Sequence, residues 1–161
     1  MNIKTVGALA ALALLAACSD DKPMTSTQTG GGAMATAAGI VPGSEEDLKT
    51  NVGDRVFYDF DRSSLKADGQ ATLDRQAAWL GKYGQVSVQI AGNCDERGTE
   101  EYNIALGQRR ANAARDYLVA KGVATARITT ISYGKERPEC TGHDEACWAK
   151  NRRAHFLVKR G

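Results

Sequence analysis

From about Asn51 to Gly161 the sequence predicts an α+β domain, a two-layer sandwich with helices over one face of a mixed sheet. Three observations predict it. Branched, aromatic or period-two segments alternate with segments of helical period, in the order β-α-β-α-β-(α)-β. The helical segments present a single apolar stripe rather than an apolar circumference. Glycines stand where elements should end, at Gly92, Gly122 and Gly134.

Arg55-Val-Phe-Tyr-Asp-Phe60 is rich in aromatic and branched residues and reads as the first strand. Lys66–Lys82 follows as a helix, because Leu73, Ala77 and Leu80 fall at i, i+4 and i+7. Val86, Val88 and Ile90 alternate with Ser87 and Gln89, the pattern of a half-buried strand. Thr99 can cap a second helix, and Glu100 and Glu101 suit the positive end of its dipole. That helix runs to about Lys121, where Gly122 stops it. Ile128–Tyr133 is a third strand. A loop with Pro138 leads to a short helix near Glu145–Lys150, and Ala154–Val158 is the last strand.

Charge divides the chain into three parts. All 161 residues sum to +2, too little for a nucleic-acid or polybasic membrane binder. Residues 1–17 carry only Lys4, residues 18–50 sum to −3, and residues 51–161 sum to +4. Val6–Ala17 is an uncharged run behind Lys4, too short to span a bilayer and shaped like a secretory signal. Leu15-Ala16-Ala17-Cys18 resembles the lipobox of bacterial lipoproteins, which implies cleavage before Cys18 and acylation of that cysteine. The resemblance implies no cofactor beyond this covalent lipid. Ser19 after the cysteine, where that family uses Asp for inner-membrane retention, implies the outer membrane. Ser19–Gly43 holds five Gly, two Pro, six Ser/Thr and no aromatic residue, so it reads as a tether. A flexible coil of about 30 residues averages roughly 30 Å end to end and stretches to about 100 Å. Glu45-Glu46-Asp47 reads as solvated linker or a first helical turn. The expected organisation is thus signal 1–17, tether 18–50 and domain 51–161.

The chemistry gathers in Gly92-Asn93-Cys94-Asp95-Glu96-Arg97-Gly98, which joins a strand to a helix N-terminus, a place that favours anions. Asn103, Leu106 and Arg110 fall at i, i+3 and i+7 on one stripe of that helix. The Arg110 fork suits a carboxylate, and Asp95 offers the opposite charge. Two readings follow: a pair that holds a small zwitterion, or a structural Asp–Arg ion pair, which spacing alone favours.

Five segments then carry a resemblance: Tyr58-Asp-Phe-Asp61, Asp95-Glu-Arg-Gly-Thr-Glu-Glu-Tyr-Asn103, Leu106-Gly-Gln-Arg-Arg-Ala111, Ser132-Tyr-Gly-Lys-Glu-Arg-Pro138 and Asn151-Arg-Arg-Ala154. Over roughly Val56–Val158 the chain resembles the family of peptidoglycan-associated lipoproteins of the Tol–Pal system, which carry an OmpA-like domain. The resemblance implies non-covalent binding of the peptidoglycan stem peptide at meso-diaminopimelate. It implies that Asp95 and Arg110 grip the zwitterionic end, with Phe60, Asp61, Asn103 and Leu106 completing the pocket. It implies TolB and TolA as partners, an outer-membrane anchor with the domain facing the periplasm, and roles in envelope integrity and outer-membrane constriction during division. An OmpA-like lipoprotein outside the Tol–Pal system is the alternative. The chain departs from the family at Asn93, where many relatives have His; Asn93 is expected to support the loop by local hydrogen bonds.

With Cys18 acylated, Cys94, Cys140 and Cys147 remain. Cys140, His143, Cys147 and Cys94 could supply zinc ligands, but the implied compartment is oxidising and relatives keep the Gly-His-Asp-Glu stretch without flanking cysteines. A Cys140–Cys147 disulfide is therefore expected, with no metal, and Cys94 as a partly buried thiol. Lys150-Asn-Arg-Arg153 is too short for a nucleic-acid patch and lacks a stacking platform, so it is assigned structural roles. Trp79 and Trp148 are expected to pack. Asp95 and Glu96 are adjacent loop carboxylates without a nucleophile or a separated second acid, so no enzyme, and in particular no cell-wall hydrolase, is expected.

Overall fold

A computed structural model describes residues 39–159. The signal, Cys18 and the tether as far as residue 38 lie outside the described residues.

Four strands form one mixed sheet in the order β1-β4-β2-β3: β1 (Arg55–Phe57), β2 (Ser87–Asn93), β3 (Ile128–Gly134) and β4 (Arg153–Lys159). β2 runs parallel to β3 and antiparallel to β4, which pairs antiparallel with β1. The parallel pair needs a crossover, and α3 (Glu100–Ala120) supplies it. α3 and α2 (Ala67–Lys82) cover one face of the sheet. Val88, Ile90 and Phe156 point into the core with Leu73, Leu80, Ala111, Ala114 and Leu118. Ser87, Gln89, His155 and Leu157 alternate with them and are half-buried. This is the α+β two-layer arrangement that the periodicities predict.

Capping explains why α3 begins and ends where it does. The Thr99 hydroxyl accepts from the Tyr102 amide at 3.2 Å. At the far end Gly122 adopts φ +94°, the Gly122 amide donates to the Val119 carbonyl, and the Val123 amide donates to the Leu118 carbonyl. These two bonds close the last turn, and only the left-handed Gly122 lets both form. A short α4 (Glu145–Asn151) is capped by Asp144, whose carboxylate accepts from the Cys147 amide at 2.8 Å.

Two expectations are corrected. The domain does not begin at residue 51: a helical turn, α1 (Glu45–Asp47), continues as a wider turn over Leu48–Val52 and packs on the core. Leu48 is 1% exposed. The Asp47 carboxylate accepts from Trp79 Nε1 at 2.9 Å and from Asn51 Nδ2 at 2.7 Å. Glu45-Glu46-Asp47 is thus a helical turn, capped by Ser44, and composition hid it because one leucine and one acid do the anchoring. The first strand also stops early, at Phe57 instead of Phe60. Tyr58 still donates its amide to Arg152, but the carbonyls of Asp59 and Arg62 turn toward Arg110 and leave the ladder.

Candidate binding site

The site forms where the β1–α2 loop, the β2–α3 loop and the first turns of α3 meet. β2 carries a register shift at Gly92/Asn93, and beyond it the Cys94 amide donates to the Gly134 carbonyl at 2.7 Å. That irregularity turns the chain over the end of the sheet. Asn103 sutures the loop: its Nδ2 donates to the Arg97 carbonyl at 2.8 Å and the Thr99 carbonyl at 3.0 Å. Gly98 takes φ +93° in that loop. The result is a cavity of about 200 Å³ lined by Phe60, Asp61, Asp95, Asn103, Leu106 and Arg110, with Cys94, Arg97, Gly98 and Tyr102. All six expected pocket residues therefore line one cavity.

Arg110 is fully buried. Its Nε donates to the Arg62 carbonyl at 2.8 Å, its Nη1 to Asn93 at 2.9 Å and its Nη2 to Asp59 at 3.1 Å. A guanidinium has five N–H donors, so two are left over. Among the described residues no carboxylate forms an ion pair with it. Burial accordingly pushes its pKa down from the ordinary arginine value. A buried positive charge held by carbonyl dipoles and the Tyr58 ring beside a cavity has the chemistry to accept an anion.

Asp95 is buried too, but fully partnered. Its Oδ1 accepts from the Arg97 amide and Nε, both at 3.2 Å; its Oδ2 accepts from Arg97 Nη2 at 2.7 Å and Arg152 Nη1 at 3.2 Å. Burial works to raise the carboxyl's pKa, yet the hydrogen bonds from Arg97 and Arg152 outweigh it and hold it below the ordinary carboxylate range. The structural ion pair that spacing favoured thus exists, but with Arg97 and Arg152 instead of Arg110. The spacing misled because Asp95 and Arg110 share the pocket without touching.

The remaining walls are set by local chemistry. Asp61 adopts φ +55°, a left-handed conformation that Asp tolerates better than most residues, and the Tyr102 hydroxyl donates to its carboxylate. Phe60 is 55% exposed and stacks over the Arg97 guanidinium at 3.9 Å; Trp148 covers the other side at 4.1 Å. Cys94 is a buried thiol that donates to the Asn103 carbonyl, and burial raises its pKa. Asn93 bonds locally, its Nδ2 donating to the Ala91 carbonyl at 3.0 Å.

Sequence reasoning missed Arg97, Tyr102, Trp148 and Arg152 as parts of this site. Arg97 carried a signal, an arginine two residues after a loop aspartate, which suits an Asx turn with a side-chain fork. Trp148 and Arg152 carried none, because α4 and β4 reach the loop only through the fold. Trp148, expected to pack, packs on the Arg97 cation. Asn151 and Arg153, assigned structural roles, are buried: Asn151 accepts from the Glu139 amide at 2.8 Å, and Arg153 forms an ion pair with the Glu139 carboxylate at 3.0 Å.

Asp95 and Glu96 face different ways. Glu96 leaves the pocket, accepting from Trp148 Nε1 at 2.8 Å and bonding His143 Nδ1 at 2.7 Å. Cys140 and Cys147 are joined as a disulfide that closes the loop holding His143. The four residues weighed as zinc ligands are therefore split among a disulfide, a Glu96 partner and a thiol bonded to a carbonyl.

The family model described as OmpA family matches residues 57–152. The peptidoglycan-associated lipoprotein of Mesorhizobium japonicum is 51% identical over 148 residues, covering 91% of this chain and 86% of that one. That of Rhizobium meliloti is 54% identical over 140 residues, covering 87% and 78%. Among solved structures, the peptidoglycan-associated lipoprotein from Burkholderia pseudomallei superposes with a TM-score of 0.64 at 47% identity, covering 66% of this chain and 90% of that one. The C-terminal domain of Helicobacter pylori MotB shares the fold, with a TM-score of 0.61 at 20% identity.

Proposed function

Because this chain belongs to the OmpA family, among the peptidoglycan-associated lipoproteins, we propose that it binds the peptide stem of peptidoglycan non-covalently, at the zwitterionic end of meso-diaminopimelate. One observation carries the reading: Arg110 is buried without a carboxylate and borders the cavity with two N–H donors unspent. In this reading the ligand carboxylate takes those donors, and the ammonium goes to Asp95 across the pocket. Leu106 and Phe60 flank the methylene chain between the two charges, and Asn103 holds the loop. The chain works as a binding protein and not as a hydrolase, since of the two pocket carboxylates Asp95 is ringed by arginines and Asp61 accepts from the Tyr102 hydroxyl, while the neighbouring Glu96 points out of the pocket.

A pull-down on purified sacculi tests this. Wild type should sediment with sacculi without releasing muropeptides, whereas Asp95→Ala and Arg110→Lys should stay in the supernatant. Either change leaves one ligand charge unpaired or poorly gripped, at a cost of roughly 2–5 kcal/mol. Wild-type retention by both variants would remove the assignment, and solubilised muropeptides would replace it with an enzyme.

The same reading extends to the envelope. Acylated Cys18 anchors the chain in the outer membrane, and the segment up to the domain lets it reach the cell wall from the periplasmic side. As a Tol–Pal component it would engage TolB and TolA and support envelope integrity and constriction at division. A mass spectrum of the membrane-extracted N-terminus should show a diacylglyceryl, N-acylated Cys18; a free or internal cysteine there would end this part of the proposal.

A further inference from the structure

Asp95 has no acceptor capacity left for a ligand. A carboxylate offers about four lone-pair sites, and four N–H groups already fill them, three from Arg97 and one from Arg152. An ammonium can reach Asp95 only if one of these donors leaves. Arg152 is pinned: its side chain is 7% exposed, its Nε donates to the Tyr58 carbonyl at 3.1 Å and its Nη2 to Glu145. Arg97 is the movable one. Its side chain is 32% exposed, it is followed by Gly98 at φ +93°, and apart from its bonds to Asp95 its guanidinium is held by the rings of Phe60 and Trp148, at 3.9 and 4.1 Å. It also has somewhere to go, because the exposed Glu145 carboxylate already lies 3.9 Å from its Nη2.

We propose that the Arg97 guanidinium is an internal stand-in for the ligand's ammonium, a latch that closes the Asp95 half of the pocket and is displaced when a diamino acid binds. The inference rests on the reading of the pocket given above and adds a competitor to it. Phe60 and Trp148 set how firmly the latch holds, since each contributes a cation–π contact. A latch lowers apparent affinity by the fraction of time it is open, and its removal returns that factor. It also sets specificity, because only a ligand that brings its own cation compensates Asp95 for the loss of Arg97.

The test is a titration of the full chain in detergent with a synthetic tripeptide, L-Ala-γ-D-Glu-meso-diaminopimelate, and with the same peptide acetylated on the side-chain amine. Arg97→Ala and Arg97→Gln should bind the free amine about tenfold more tightly than wild type, as expected for a latch closed about nine-tenths of the time. Trp148→Leu should shift in the same direction by less. None of the three should improve binding of the acetylated peptide, which separates displacement from a general loosening of the loop. Unchanged or weaker binding of the free amine by both folded Arg97 variants would overturn the latch, with Arg97 then a fixed support of Asp95. Asp95→Ala and Arg110→Lys run beside them distinguish the two failures, for if those retain wild-type affinity the pocket assignment itself falls.

Discussion

Gly92 of β2 and Gly107 of α3 meet so closely that a methyl group added to Gly92 would lie 1.8 Å from the Gly107 carbonyl oxygen. This contact sets the depth at which α3 sits on the sheet. Arg110 is one turn farther along α3, and Asn93, whose carbonyl it bonds, is next to Gly92. The tight glycine pair therefore brings the buried guanidinium within reach of the end of β2.

Gly92→Ala should be among the most damaging single changes in the domain. Its neighbour is backbone, which cannot rotate aside, so the helix must move. Overpacking of this kind costs about 1–3 kcal/mol and more where backbone must shift. Gly107→Ala should be milder: its nearest atom, the Ser132 hydroxyl oxygen at 2.3 Å, can swing away, and its backbone neighbour, the Gly92 carbonyl oxygen, is at 2.9 Å instead of 1.8 Å. Thermal melts should rank them in that order, and Gly92→Ala should also lose sacculus binding.

The anchoring turn before β1 gives a second expectation. Asp47→Ala leaves the Trp79 indole N–H buried without its acceptor, a loss of roughly 1–3 kcal/mol. A truncation that starts at residue 53 also exposes the pocket that Leu48 fills. It should melt lower than one starting at residue 39, and equal melting temperatures would show that the turn contributes nothing to the core.

Arg110 has a structural duty beside its proposed ligand role, because it gathers two carbonyls of the β1–α2 loop and one at the end of β2. Arg110→Ala should cost about 2–4 kcal/mol by leaving those groups unpaired. Hydrogen exchange should then rise first in residues 59–62 and 93–95. Arg110→Lys keeps the charge without the planar fork and should be intermediate.

Pairing Cys140 with Cys147 closes a ring of sequence separation 7. By the loop-entropy estimate such a ring adds only about 2 kcal/mol. Cys140→Ser with Cys147→Ser should keep the fold, lower the melting temperature modestly, and raise exchange around His143. Thiol titration of the denatured, non-reduced mature chain should find Cys94 alone; three thiols would reject the bridge.

The Asp95 carboxyl titrates below its ordinary value of 3.8. A carboxyl whose folded pKa is depressed stabilises the fold above its unfolded value and loses that contribution as pH falls through the folded one. Stability from the Asp95 network should therefore be flat from pH 7 to about 5 and decline below about 4. Asp95→Asn should flatten that acid limb; an unchanged limb would place the titration elsewhere.

Much of the fold was legible in the chain because it depends on local chemistry. Thr99 and Gly122 bound α3 through bonds made within its own turns, and the alternation around Val88 and Ile90 marked β2 before any partner strand was known. The stripe of Asn103, Leu106 and Arg110 needed only helical spacing to reach one cavity. Leu48 and Asp47 escaped notice because their partners are distant in sequence, and so did the early end of β1, which Arg110 draws off the ladder.

Residue type and spacing by themselves determined that this is an α+β domain with an acid and a base placed around one strand-to-helix loop. Which charges meet was decided only by tertiary structure. Ion pairing acts over a few ångströms, and the chain brings Arg152 to Asp95 across 57 residues while holding Arg110 among carbonyls. Distance in space, set by the packing of β4 and α3 on the sheet, left Asp95 saturated and Arg110 with donors to spare.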